Sequence, residues 1–252
     1  MKKLYERKAV LHSLVWLAIY LVLNTITDNI AGALNIDFNV VTAIPNLVLA
    51  TICFYYLKST GIAKDIGLLT KPTEKNSVML YYIPLLLLPF LSLIYGVNTS
   101  LSAINIVLML AMYISVGFME EIIFRGLMFK ALVKKWNRYV VVAFISCTFA
   151  IGHIVSMVAI SQSTTDTILQ IINAFVVGFM FMVVILASGN LTICIITHIL
   201  YNFIANISMV NSTHVEIIVV TTVITILYFV YLLLCGKNSK AYFRNNTSMK
   251  NF

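Results

Sequence analysis

The chain has 252 residues, of which 61% are hydrophobic and only 10% are charged. Soluble domains carry about 25% charged residues, so this composition excludes a soluble globular protein. The formal net charge of +8 does not indicate nucleic-acid binding, because no nucleic-acid-binding motif is present and the cations flank apolar stretches, where they suit anionic lipid headgroups. We therefore interpret the chain as a polytopic membrane protein whose surroundings are a lipid bilayer.

Eight apolar stretches approach or exceed the length of about 20 residues with which a helix crosses a bilayer. In chain order they are 9–30, 39–57, 78–96, 101–124, 138–160, 167–187, 191–209 and 215–235. The first follows KKLYERK like a signal peptide, but its apolar run exceeds the usual core of about 7–15 residues, so we expect a retained helix. The prediction is an all-α fold with about eight transmembrane helices.

We expect one structural domain with three parts along the chain. Residues 1–100 hold three N-terminal spans, residues 101–209 hold a catalytic core, and residues 210–252 hold the last span and a basic tail. With eight spans, all 17 Lys and Arg residues fall at the two ends, in 58–77 and in 125–138, which lie on one side. The positive-inside rule makes that side and both termini cytoplasmic. We predict 125–138 as an amphipathic helix on the inner surface.

The location follows from the same features. We expect a multi-pass protein of the cell membrane, and residue usage rich in Ile, Asn and Lys suggests a bacterial source. The cysteines are scattered singly, which favours buried apolar thiols over disulfides or metal ligands. They are Cys53, Cys147, Cys194 and Cys235.

Ionisable side chains within the spans are the main functional signal, since a charge at the bilayer centre costs about 2.5–3.5 kcal/mol. Together with one amide, the set is Glu120, Glu121, Arg125, His153, His198 and Asn202. His12, near a span end, and His214, in an outer loop, are better explained as interfacial or solvated residues. The set therefore points to a site shared by three spans.

Two chemistries suit two glutamates and two histidines. A zinc ion bound by two histidines and one glutamate lowers the pKa of its water to about 7, and the other glutamate then acts as general base. Without metal, a Glu–His pair activates water directly, and His198 with Asn202 stabilises the oxyanion. Both hydrolyse an amide, and these residues do not choose between them. The plainer alternatives are a glutamate pair neutralised by Arg125, interhelical hydrogen bonds and an ion pathway.

Three motifs carry a family resemblance. EEIIFRG, FAIGH and HILYN, in this order, resemble the EExxxR, FxxxH and HxxxN motifs of the CPBP family, also called Abi or CAAX-protease-like. The resemblance covers about residues 101–209, and the first three spans match only in being hydrophobic. It implies an intramembrane endopeptidase, commonly classed as a metalloprotease, with a cavity open to the cytosol.

The resemblance also implies residue roles. Glu120 would activate water with His153, while Arg125 would hold a carboxylate and His198 with Asn202 would complete the metal site or the oxyanion hole. Phe149 would pack behind His153. The implied ligands of Zn²⁺ or another divalent metal are Glu121, His153 and His198, with Glu120 able to exchange roles with Glu121.

The expected substrate is a hydrophobic peptide or a membrane-protein segment, cleaved in peptide maturation or in self-protection against a bacteriocin. The alternative is a non-catalytic immunity protein or a proton-coupled transporter that uses the same residues, although no inverted repeat is evident. One geometric difficulty remains. His153 lies roughly 22 Å along its helix from Arg138, whereas the glutamates end their span. We therefore expect that the fifth helix begins outside the membrane or that 125–137 re-enters.

Overall fold

The computed structural model of the chain describes residues 1–70, 83–154, 163–209 and 215–238. The helices are α1 (Lys2–Arg7), α2 (Ala9–Leu34), α3 (Phe38–Thr60), α4 (Ile62–Asp65), α5 (Ile83–Leu87), α6 (Ala103–Leu132), α7 (Arg138–Gly152), α8 (Thr164–Ser188), α9 (Thr192–Ile207) and α10 (Val215–Asn238). A 3₁₀ helix, Leu88–Tyr95, continues α5. These ranges contain one isolated bridge, between Val97 and Ser208, and no strand. The predicted all-α fold is confirmed.

Four of these helices, α2, α3, α6 and α8, are long and apolar enough to cross a membrane. Shorter apolar helices occupy the other four predicted spans, so the count of eight crossings stays a prediction. On α3, Ile44, Val48 and Ile52 follow one another at four-residue intervals and are 53–63% exposed. Such an exposed apolar row on one helix face suits contact with lipid.

Side chains at the helix starts explain where several helices begin. Asp37 accepts a hydrogen bond from the backbone N–H of Asn39, and Ser102 accepts one from that of Asn105. Asn137 does the same at the start of α7. Each bond satisfies a backbone donor that the first helical turn leaves without a partner. Asn39, in the first turn of α3, lines the cavity described below.

Helix α6 differs from the prediction in its length. The expected span ended at residue 124, but the helix continues to Leu132 through a π-helical segment, Ile122–Met128. Leu127, Met128 and Phe129 are at most 6% exposed, so the surface helix predicted for 125–138 is wrong as far as Leu132. Lysines within an apolar sequence are typical of a helix at the membrane surface. Here the apolar side chains between the lysines pack against other helices of the protein.

The greater length of α6 explains how the glutamates and His153 come to lie at similar depths. Glu121 lies 11 residues before the end of the helix at Leu132, which is about 16 Å. His153 lies about 22 Å along α7 from its start at Arg138, and the two helices are joined by a short turn. The glutamates and His153 therefore reach similar depths without a re-entrant segment between the helices.

Close packing between α6 and α9 fixes the position of His198. A Cβ atom on Gly117 would lie 2.8 Å from Cγ1 and 3.2 Å from the backbone nitrogen of Ile199. Only a glycine permits this approach, because any larger residue would displace the α9 backbone. Since Ile199 follows His198 directly, this contact holds the histidine against the glutamates of α6.

Polar side chains also join neighbouring helices. Asn24 of α2 and Asn46 of α3 exchange amide hydrogen bonds, while Asn173 of α8 donates to Thr222 of α10 and accepts from Tyr201 of α9. Such bonds are the usual polar contacts between membrane helices. Asn24 also lines the cavity described below.

Other predictions fare differently. His12 is wholly buried and bonded to the Tyr56 hydroxyl at 2.8 Å, so the prediction of a solvated residue is wrong, and that of an interfacial one stays a prediction. Cys53 and Cys194 are buried as expected, but Cys147 is exposed. Residues 78–82 of the third span, 155–160 of the fifth and His214 lie outside the described residues, as does the side chain of Cys235.

Candidate active site

The two adjacent glutamates of α6 face different surroundings, because successive residues of a helix point about 100° apart. The Glu120 side chain is 21% exposed and lines a large cavity. The Glu121 side chain is fully buried among helices. Adjacency in the sequence therefore produces two carboxylates with separate tasks.

Glu120 is held from two sides. The Tyr20 hydroxyl of α2 donates a hydrogen bond to Oε1 at 3.0 Å, and Nε2 of His198 lies 3.7 Å from Oε2. The second distance is longer than a direct hydrogen bond. Oε2 and the facing His198 nitrogen thus remain available to a water molecule or a substrate.

Glu121 is the anchor of the cluster. Its Oε1 accepts from Arg125 Nη1 at 3.1 Å and faces His198 Nδ1 at 2.9 Å. A carboxylate accepts but does not donate, so Nδ1 carries the proton, and the ring turns its Nε2 towards Glu120. The contact fixes the orientation of His198 in the way that carboxylates fix histidines elsewhere.

Arg125 also packs against an aromatic ring. Its Cζ lies 3.8 Å from the centroid of the Phe149 ring, and Nε and Nη2 have no hydrogen-bond partner within the described ranges. A guanidinium on a ring face gains cation–π stabilisation that grows when water is excluded. Arg125 is 1% exposed, so it is packed inside the protein and does not lie at its surface.

A glycine of α8 makes room for this guanidinium. A Cβ atom on Gly178 would lie 2.5 Å from Arg125 Nη2 and 3.3 Å from Cδ1 of Phe149. The site therefore requires a glycine at position 178 as well as the charged side chains. Nothing in the sequence singled out Gly178 or Gly117.

His153 follows the last residue of α7 and lines the same cavity as Glu120. Its Nδ1 donates to the backbone oxygen of Phe149 at 3.1 Å, which leaves Nε2 as an acceptor in the neutral ring. The Phe149 ring meets both histidine rings edge-on, with centroid separations of 5.1 and 6.0 Å. Phe149 therefore packs against His153, His198 and Arg125 together.

The predicted residues are not all joined. Glu121 contacts Arg125 and His198 directly, Glu120 faces His198 at 3.7 Å, and His153 shares the cavity with Glu120. Asn202 lies one turn beyond His198 on α9 and is half-buried, but no hydrogen bond of its side chain to a described residue is present. Its role in an oxyanion hole stays a prediction. Tyr20 joins the site instead, although no sequence feature distinguishes it from the other tyrosines among the 13 in the chain.

The cavity has a volume of about 1100 Å³, just above the range of about 300–1000 Å³ that is usual for small-molecule sites. It follows α2 from Val10 to Asp28, which is about 27 Å of helix, with Tyr20 near the middle. Lys135 and Trp136 line one end, which the positive-inside rule predicts to be cytoplasmic, and Asp28 lines the other. An elongated apolar groove with a carboxylate at its centre suits a peptide segment.

The described residues do not test the predicted metal, for which Glu121, or Glu120 in its place, would be a ligand together with His153 and His198. No three His, Cys, Asp or Glu side chains in the described parts of the chain are placed to hold a metal ion together. Glu121 Oε1 already contacts Arg125 and the protonated Nδ1 of His198. A bound metal therefore stays a prediction, and the mechanism below takes no step through it.

Comparison with known proteins identifies the segment that carries the site. Residues 102–204 match the family model described as type II CAAX prenyl endopeptidase Rce1-like. No curated protein and no solved structure is significantly similar to the chain. The match is less than half of the chain and contains every predicted site residue, whereas Tyr20 lies outside it.

Proposed function

Because the chain carries an Rce1-like domain of the type II CAAX prenyl endopeptidase family, we propose that it is an intramembrane endopeptidase that cleaves a hydrophobic peptide or membrane-protein segment. The observation that carries this proposal is the position of Glu120. Its carboxylate is held by Tyr20 on the wall of a long apolar cavity, with imidazole groups from two other helices beside it.

Glu120 is the general base of the proposed reaction. A water molecule bound near Oε2 gives a proton to Glu120 while its oxygen attacks the carbonyl carbon of the substrate. Nε2 of His153 accepts the second hydrogen of that water and so helps to orient it. The apolar walls of the cavity lower the local dielectric constant and so strengthen these interactions.

His198 stabilises the charge that develops on the substrate. When both of its ring nitrogens carry protons, Nδ1 donates to Glu121 and Nε2 donates to the oxyanion of the tetrahedral intermediate. Glu120 then passes its proton to the amide nitrogen, the C–N bond breaks, and a carboxylic acid and an amine leave. Arg125 positions Glu121 and does not contact the substrate.

Removal of the Tyr20 hydroxyl tests the contribution of its hydrogen bond to Glu120. A hydrogen bond to a charged group contributes about 1.5–3 kcal/mol, so we expect Tyr20→Phe to lower kcat by about 10- to 100-fold with little change in KM. Steady-state kinetics on a cleaved peptide measures both. Tyr56→Phe, which removes a hydroxyl bonded to His12 outside the cavity, is the matched control and should keep kcat. An equal fall of kcat in both variants would indicate a structural effect instead.

The proposed function is tested by peptide cleavage together with metal analysis in detergent. Wild type, His153→Ala and His198→Ala are each incubated with a library of quenched hydrophobic peptides, and folding is checked by circular dichroism. We expect cleavage by wild type and a fall of at least about 100-fold in the His198 variant. A wild-type protein that cleaves no peptide contradicts the proposal.

The metal content decides the form of the nucleophile. About one zinc per chain that is lost in the histidine variants, with activity that a chelator removes, would establish metal-bound water. Cleavage that persists in chelator without stoichiometric metal would establish water activated by Glu120. Either result is compatible with maturation of a small peptide or with immunity against a bacteriocin, which we propose as the roles of such an enzyme.

A further inference from the structure

The two ends of the active-site cavity differ in their chemistry. Towards Val10 its walls are apolar, with Leu14 and Phe144, and its only described cation, Lys135, lines this end. Beyond Tyr20 the walls become polar, with Asn24, Asn39 and Asp28. A substrate lying along the groove therefore meets carbon-lined walls on one side of Glu120 and oxygen-rich walls on the other.

Two oxygen atoms at the polar end are buried without a hydrogen-bond partner within the described ranges. They are Oδ1 of Asp28 and Oδ1 of Asn39. The amide orientation of Asn39 follows from its surroundings, because its Nδ2 donates to the Asp37 carboxylate at 3.0 Å. The oxygen of this amide, and not its nitrogen, is therefore the atom without a partner among the described residues.

Unpaired buried acceptors are costly, since each loses its hydrogen bonds to water. Asp28 and Asn39 line the same cavity, and a carboxylate together with an amide oxygen favours a group with several N–H donors and a positive charge. An alkylammonium or a guanidinium meets this description, because neither can accept and both donate in several directions.

We propose that Asp28, with Asn39, is a specificity site that binds a positively charged group of the substrate. This inference rests on the proposed endopeptidase function. Asp28 lies eight residues beyond Tyr20 on α2, which is about 12 Å, and an extended chain spans about 3.3–3.6 Å per residue. The cation is therefore expected three to four residues from the scissile bond, with an apolar segment on the other side.

The test uses N-acetylated, C-amidated peptides of leucine and alanine. Each peptide carries one lysine, which lies between one and six residues from the cleaved bond. An otherwise identical peptide without lysine is the reference. Mass spectrometry gives the bond that is cleaved, and kcat/KM is measured in detergent. With wild type, we expect lysine at the third or fourth position to raise kcat/KM by about 10- to 100-fold, from one to several charge-assisted hydrogen bonds. Free-amine versions of the peptides show whether a terminal amine serves equally.

Variants of Asp28 assign the effect to this site. Asp28→Asn should remove the preference for lysine, and Asp28→Lys should reverse it in favour of a glutamate at the same position. Asp166→Asn, which removes a half-buried carboxylate in the first turn of α8 that does not line the cavity, should leave the preference intact. Equal kcat/KM for peptides with and without lysine, or a preference that Asp28→Asn retains, overturns the inference.

Binding separates this inference from the proposed function. Anisotropy of a fluorescent lysine peptide is measured with the same variants. Binding that depends on Asp28, without cleavage of any peptide, would overturn the endopeptidase and retain the cation site. Cleavage without any dependence on Asp28 would retain the enzyme and overturn the cation site, and the absence of both would overturn both.

Discussion

Replacing Glu120 with glutamine is expected to lower kcat by about 10²- to 10⁴-fold, the usual contribution of a general base, while KM changes little. Glutamine has nearly the same shape, and its side-chain oxygen still accepts the hydrogen bond from Tyr20. The amide cannot take a proton from water at neutral pH. An unchanged KM with a reduced kcat is the signature of a group that acts only in the transition state.

Glu6→Gln is the control for this substitution, because Glu6 is an exposed residue of α1 and its loss removes the same charge. Circular dichroism and the elution volume in detergent show whether each variant is folded. A folded Glu120→Gln protein with wild-type kcat would remove Glu120 from the mechanism. If the protein also protected cells from a bacteriocin without any cleavage, the non-catalytic immunity reading would replace the enzyme.

The charged part of the site was readable from the sequence because ionisable residues within apolar spans are costly and therefore rare. Glu120, Glu121 and His198 stood out on this ground alone, and the structure joins them. The different surroundings of Glu120 and Glu121 could not be predicted from the sequence. They depend on which helices pack against each side of α6, and the sequence positions of two adjacent residues do not show this.

Other parts of the site gave no signal. A tyrosine in a membrane span is ordinary, so Tyr20 became visible only when its hydroxyl was found on Glu120. Gly117 and Gly178 matter because they have no Cβ atom, which leaves space for groups of neighbouring helices. The extension of α6 to Leu132 was missed because Arg125 and the lysines after it are typical of a helix end, while the π-helical segment leaves no pattern of its own.

Replacing Arg125 with leucine is expected to lower the free energy of unfolding by about 3–5 kcal/mol, the usual cost of leaving one member of a buried ion pair alone. Glu121 has a fully buried side chain and would keep only His198 as a partner. The thermal midpoint in detergent should fall by on the order of 10 °C. Lys134→Leu, which removes an exposed cation, should change it little.

A double variant separates charge from packing in this prediction. Glu121→Gln with Arg125→Leu leaves no orphan charge, and the glutamine oxygen still accepts from Nδ1 of His198. If the cost arises from the unpaired carboxylate, the double variant should be clearly more stable than Arg125→Leu, as expected when both partners of a buried pair are replaced. If the double variant is as unstable as the single one, the cost arises from the lost contact with Phe149. A single variant as stable as wild type would show that the pair does not stabilise the fold.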